Sequence, residues 1–138
     1  MKTLITIIVL TFILFSCKEK SPECGDPMPV ICKLILVDKS DNFLVGTTYH
    51  EDSIKLFTAS QTIPLDFESG AIYFDFSPLM TLNNQDIILK LSKNEVDTLS
   101  LFIRTYSNDC WSSQILDTLK YNEKVIATLT GNTYKIIK

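Results

Sequence analysis

The chain is poor in the residues from which reactive centres are usually assembled: one histidine, four cysteines and four glycines in 138 residues. With His50 as the only imidazole and no Cys-x-x-Cys spacing, the ligand sets that hold zinc are missing. No Gly-x-Ser-x-Gly elbow occurs, which removes the sequence mark of an α/β-hydrolase nucleophile. Basic residues are outnumbered, 13 against 16 acidic, for a net charge of −3. That balance supplies no clustered basic face for nucleic acid. No stretch shows a sustained 3.6-residue apolar stripe, no internal repeat is visible, and no low-complexity segment interrupts the chain. No apolar run approaches the ~20 residues that a helix needs to span a bilayer.

What is present first is a leader. Met1-Lys2 gives a short positive start, and the apolar run from Leu4 to Phe15 is interrupted only by Thr6 and Thr11. Its length fits the ~7–15-residue apolar region of a secretory signal. Ser16, a small residue, precedes Cys17. The stretch Leu14-Phe15-Ser16-Cys17 resembles the lipobox of bacterial lipoproteins, with Phe15 bulkier than the residue most lipoboxes carry there. The resemblance implies that residues 1–16 are a cleaved signal peptide and that Cys17 becomes the lipidated first residue. Its thiol would take a diacylglyceryl group as a thioether, and the freed amine a further acyl chain such as palmitate. One chain holds a protein only marginally, whereas two or three hold it firmly. Lys18 stands where an Asp commonly marks inner-membrane retention. The expected location is therefore the outer membrane, with the periplasmic and outward faces both open.

Cleavage would leave 122 of the 138 residues, enough for one domain. Only Lys2 of the charged residues would go, leaving 12 basic against 16 acidic side chains, a net charge of −4. Residues 17–29 contain Pro22, Pro27, Pro29 and Gly25 without apolar periodicity, so they read as an extended tether. Of the remaining cysteines, Cys32 falls in the apolar set Val30, Cys32, Leu34, Leu36 and is expected to be buried as a small hydrophobe. Cys24 and Cys110 sit in polar, turn-rich surroundings and are the expected disulfide. The rival, Cys32–Cys110, needs α-carbons within ~7 Å.

From residue 30 to residue 138 the pattern has period two. Ile54 and Leu56; Ile63, Leu65 and Phe67; Ile72, Phe74 and Phe76; Ile87, Leu89 and Leu91; and Leu99, Leu101 and Ile103 all alternate with other side chains. Pro64 cannot donate to a ladder and puts its strand at an edge. Glu68-Ser69-Gly70 reads as a turn, and Gly131-Asn132 as a two-residue hairpin joining Val125, Ala127 and Leu129 to Tyr134 and Ile136. About nine short strands separated by turns predict an all-β antiparallel sandwich, immunoglobulin-like or transthyretin-like.

Candidate sites are weighed against that frame. His50-Glu51-Asp52-Ser53 gathers a base, two carboxylates and a hydroxyl, but sequence neighbours rarely reach triad geometry, so a loop cluster is expected. Asp38, Asp41 and Asn42 offer oxygens to calcium but lack EF-hand spacing and read as a turn. Tyr73, Phe102 and Trp111 lie off the inward parity or in loops, and are the candidate ligand contacts, suited to stacking on a sugar ring or meeting a protein. The stretches VDKSDNFLVGTTYHEDSIKL, VDTLSLFIRTYSNDC and LKYNEK resemble small lipoproteins of Bacteroidota-type bacteria. That resemblance implies a β-sandwich on a lipid tether and carries over no activity. The expected function is a non-enzymatic binding or structural module of the cell envelope, without a cofactor or metal. Its expected partners are the membrane, through Cys17, and an envelope protein or glycan. A surface carbohydrate-binding accessory role is the alternative, and a small envelope hydrolase ranks last.

Overall fold

A computed structural model describes residues 30–79, 86–107, 110 and 112–138 of the chain. The expected signal peptide and tether, with Cys17 and Cys24, and Trp111 lie outside the described residues. Ten strands form in order: β1 (Ile31–Val37), β2 (Lys55–Phe57), β3 (Thr62–Ile63), β4 (Asp66–Glu68) and β5 (Ala71–Asp75) come first. They are followed by β6 (Asp86–Lys90), β7 (Val96–Ser107), β8 (Ser112–Tyr121), β9 (Lys124–Ile126) and β10 (Thr133–Ile137). The only helical pieces among the described residues are short 3-10 turns at Glu51–Ser53 and Ser77–Leu79.

The strands hydrogen-bond into a four-stranded sheet ordered β10-β1-β5-β4 and a six-stranded sheet ordered β3-β2-β6-β7-β8-β9. Their inner faces share one core. Cys32, Leu34, Leu36, Ile72, Phe74, Tyr134 and Ile136 come from the first sheet, and Leu56, Leu89, Leu99, Leu101 and Leu119 from the second. Burying each large aliphatic contributes roughly 1.5–3 kcal/mol over leaving it exposed, so this shared layer carries the fold. The all-β sandwich expected from the alternation is the observed architecture, and antiparallel pairing dominates. The exception is β1 with β10, which run parallel, Leu34 opposite Tyr134 and Leu36 opposite Ile136.

Two elements differ from the sequence reading, and both differences come from strands changing sheets. Ile63, Leu65 and Phe67 do not form one strand: β3 belongs to the six-stranded sheet and β4 to the four-stranded one, with Pro64-Leu65 crossing between them. Both are edge strands, as Pro64 requires. At the other side, Gly131-Asn132 does turn the chain, with Thr133 N–H donating to the Thr130 carbonyl (3.1 Å) and Leu129 N–H to the Thr133 carbonyl (2.8 Å). The ladder stops there, because β9 stays in one sheet while β10 crosses to the other. Val125 and Leu129, expected to face Tyr134 and Ile136 across a hairpin, are instead exposed, at 65% and 54%, and Ile126 packs on the core. Each crossover puts two successive strands at the edges of different sheets.

The turns follow local chemistry. Ser69 and Gly70 both have positive φ (51° and 76°), the two-residue hairpin geometry whose twist matches the strands. Glycine suits the second position, where φ is positive and a Cβ would stand 3.0 Å from Cγ of Phe43, which would have to shift. Asn122 and Glu123 repeat the geometry between β8 and β9 (φ 46° and 68°), a turn the sequence reading did not identify. In β8, Thr118 faces Phe102 and Leu116 faces Ile103, leaving Asp117 as a bulge residue.

Candidate functional site at the Pro64 corner

The crossover through Pro64 leaves two hollows on the surface, both lined by that proline. One, of about 410 Å³, has Ile63, Leu65 and Phe67 toward its floor and Glu51, Asp52 and Lys55 among its walls. Ile63 is buried and Leu65 and Phe67 are half-buried, so solvent reaches apolar surface that the sandwich does not cover. The other, of about 220 Å³, is lined by Ile31, Asp66, Tyr73, Asp75 and Pro78. Asp75 caps the 3-10 turn that follows it: its Oδ1 accepts the backbone N–H of Ser77 (2.7 Å) and the Ser77 hydroxyl. The volume of the larger hollow lies within the range of small-ligand sites, and its apolar floor with a few charged side chains has their usual composition.

The aromatic side chains singled out from the sequence are not brought together. Tyr73 is on β5 of the four-stranded sheet and Phe102 on β7 of the six-stranded one, both half-buried on outward faces. Each already carries a cation: Lys33 Nζ lies 5.1 Å from the Tyr73 centroid and Lys120 Nζ 4.8 Å from that of Phe102. Tyr73 lines the smaller hollow. Cys110 takes part in a disulfide and Cys32 is free and buried, so Cys32–Cys110 is not the pairing. Burial also pushes the Cys32 thiol well above its ordinary range, as expected of an unreactive core cysteine.

The loop clusters resolve into turns. Ser53 Oγ lies 2.7 Å from the His50 carbonyl and 3.0 Å from that of Leu91, two backbone partners rather than an imidazole. Asp38 accepts N–H groups of Ser40 (2.7 Å) and Asn42 (3.0 Å) and the Asn42 side chain (2.9 Å). Those bonds, Asn42's foremost, hold its carboxyl below the usual range. Asp41 turns away to pair with Lys135 Nζ at 2.7 Å.

A second polar constellation was missed from the sequence. Lys138, just past β10, sends its ammonium across to the six-stranded sheet, where it pairs with Glu95 and lies 2.6 Å from Asp97 Oδ2. Asp97 also accepts the Tyr121 hydroxyl (2.6 Å) and the Asn122 amide (2.8 Å), while Glu95 accepts the Tyr49 hydroxyl (2.9 Å). The signal was parity: Asp97 precedes Leu99 and Leu101 on the inward side of β7, and a carboxylate there demands a cation. Burial alone would lower the Lys138 pKa, but the bonds to Asp97, Glu95 and Tyr121 raise it instead. Burial, reinforced by Asp97, pushes Tyr121 up as well. The bonds from Lys138, at the end of one sheet, to Glu95 and Asp97 of the other make this cluster a fastener. It joins the two sheets, and the fully buried Tyr134 adds a second tie by donating to the Leu116 carbonyl (3.4 Å).

The cluster makes stability depend on pH. Burial would raise the Asp97 pKa, yet the bonds from Lys138, Tyr121 and Asn122 outweigh it and hold the carboxyl below its ordinary range. Its contribution is therefore present above the unfolded value of ~4 and lost as pH falls through the lower folded one. The raised Lys138 contributes below its unfolded ~10.4 and loses this only as pH rises beyond it. Replacing Lys138 by Met is expected to destabilise by about 2–3 kcal/mol near neutral pH, because it strands Asp97, 8% exposed, without its cation. Urea melts should show the gap from wild type narrowing in strong acid, and equal stability at neutral pH would refute the fastening role.

No family model matches the chain, and comparison with curated proteins and with solved structures finds no match.

Proposed function

We propose that the protein is a lipid-anchored module of the cell envelope that binds a partner without transforming it, using the hollow beside Pro64. The observation that carries this reading is the apolar surface of Leu65 and Phe67 that solvent reaches in this hollow, over the buried Ile63 and with Glu51, Asp52 and Lys55 also lining it. The polar clusters elsewhere, Lys138 with its carboxylates and the Asp38 turn, are committed to holding the fold. The lipobox-like Leu14–Cys17 stretch supports attachment through Cys17, and Lys18, standing where an Asp commonly marks inner-membrane retention, supports the outer membrane, at its periplasmic or outward face.

A carbohydrate is the second reading, favoured by Tyr73 standing between Asp66 and Asp75 in the smaller hollow. Carboxylates beside an aromatic ring can bond sugar hydroxyls while the ring meets the apolar sugar face. The disulfide of Cys110 is proposed to run to Cys24. With Cys32 free and Cys17 taken by lipid, Cys24 is the cysteine left. Such a link would pin the tether to the end of β7 and stabilise by about 4–5 kcal/mol on chain-entropy grounds.

Three measurements test these statements. Cys17→Ala should abolish incorporation of labelled fatty acid and release the protein from membranes, and unchanged labelling would sink the anchor. Mass mapping of non-reduced peptides should find Cys24 joined to Cys110; a Cys17–Cys110 peptide would overturn both the pairing and the lipidation. Titrating envelope glycans and peptides into the isotope-labelled protein should move resonances between Thr62 and Phe67. A glycan ligand should bind more weakly to Tyr73→Ala, with Phe102→Ala unaffected, since the ring is the apolar surface in that hollow on which a sugar face would rest. Shifts confined to other surfaces, or turnover of the ligand, would refute the binding reading.

A further inference from the structure

The two outward faces of the sandwich carry opposite charge. Residues 30–138 hold 10 basic and 13 acidic side chains, since Lys2, Lys18, Lys20, Glu19, Glu23 and Asp26 precede them. On the four-stranded sheet, Asp66, Glu68 and Asp75 crowd the β4–β5 side, and of the two lysines toward β10, Lys135 is paired with Asp41. The outer face of the six-stranded sheet is the reverse. Strand alternation places Lys55, Lys90, Lys120 and Arg104 there against Asp86 and Asp117. Both of those carboxylates are already engaged, Asp86 with the Ser100 hydroxyl (3.0 Å) and Asp117 with Arg104 (2.9 Å).

Register sharpens the contrast. Lys55 is directly opposite Lys90 across the β2–β6 ladder, a like-charge pair that a sheet tolerates at a cost. Among the described residues neither lysine has an ion-pair partner. The next row is apolar, Phe57 opposite Ile88. Val96, opposite Lys90, and Val125, opposite Lys120, are 56% and 65% exposed. Long ammonium side chains interleaved with exposed apolar ones suit an interface where the stems lie on hydrocarbon and the heads meet phosphate.

We propose that this outer face of the six-stranded sheet lies against an anionic lipid surface, orienting the anchored domain. The occupant follows from charge complementarity: a domain that is acidic overall presents one basic, apolar-studded face. The inference rests on the anchoring proposed above for Cys17, and the 13 residues from Cys17 to Pro29 reach at most ~45 Å, enough to let either face settle. The acidic outer face of the four-stranded sheet would then point away from the membrane.

The test uses the full-length protein, extracted from its membrane and reconstituted into vesicles of phosphatidylcholine alone or mixed with phosphatidylglycerol. Lysine acetylation is followed by mass spectrometry. Lys55, Lys90 and Lys120 should react at least about fivefold more slowly on the anionic vesicles. High salt should restore their reactivity, and Lys33 on the opposite face should be unaffected. In K55E/K90E the protection of Lys120 should disappear. Equal labelling on both vesicles, equal protection of both faces, or protection that persists in high salt overturns the proposal. Flotation with neutral vesicles reads the anchor separately. If it fails, the anchor reading falls, and flotation with anionic vesicles then decides this one: binding lost in K55E/K90E supports it, and no binding overturns it.

Discussion

An ammonium whose side chain is only 16% exposed persists because carboxylates face it, and that requirement ties the last strand of the chain to the opposite sheet. Lys138 follows β10, which runs parallel beside β1, and its backbone N–H also bonds the Val37 carbonyl at 2.9 Å. Its side chain ends between Glu95 and Asp97, at the start of β7. One residue therefore holds an edge strand in its own sheet through the backbone and the two sheets together through its side chain. The tyrosines complete the arrangement. Tyr49 donates to the second Glu95 oxygen, Tyr121 shares Asp97 Oδ2 with the ammonium, and the Asn122 amide takes Oδ1; the Tyr121 and Tyr49 rings lie 5.7 and 5.5 Å from the ammonium. Desolvating three charges is offset only when each has its partners, and here every member has at least one.

The period-two alternation made most of the sandwich legible in the sequence. Cys32, Leu34 and Leu36, or Leu99 and Leu101, could be assigned to the core because strand geometry leaves a half-buried strand little choice. What parity cannot encode is which sheet a strand joins. Ile63 and Phe67 share a parity and look continuous, yet Pro64-Leu65 carries the chain from one sheet to the other. Val125 and Leu129 fail for the same reason at the opposite edge. The parallel β1–β10 pair is equally hidden, since it joins segments about a hundred residues apart and no local pattern marks it.

The candidate site was less legible for a related reason. Tyr73 and Phe102 were correctly read as outward, but outward has two senses in a sandwich, and the structure puts them on different sheets. The hollow at Pro64 depends on the crossover itself, so it could not be seen before the crossover was known. Asp97 is the instructive miss. Its inward parity was as plain as that of Leu99, and a carboxylate in an apolar row should have prompted a search for its cation.

Charge adds a property that neither parity nor topology supplies alone. Lys55 and Lys90 are separated by 34 intervening residues yet stand in direct register, so their repulsion exists only in the folded sheet. The fold could remove it with one carboxylate and instead spends its acids elsewhere, on the four-stranded sheet and in the Lys138 cluster. On the anchoring proposed for Cys17, the 13 residues from Cys17 to Pro29 would be long enough to leave the domain's orientation unspecified. Orientation must then come from the faces themselves. A dipolar distribution of charge does this without a rigid stalk, because attraction at one face and repulsion at the other act together at a charged surface and fade together within a Debye length of it.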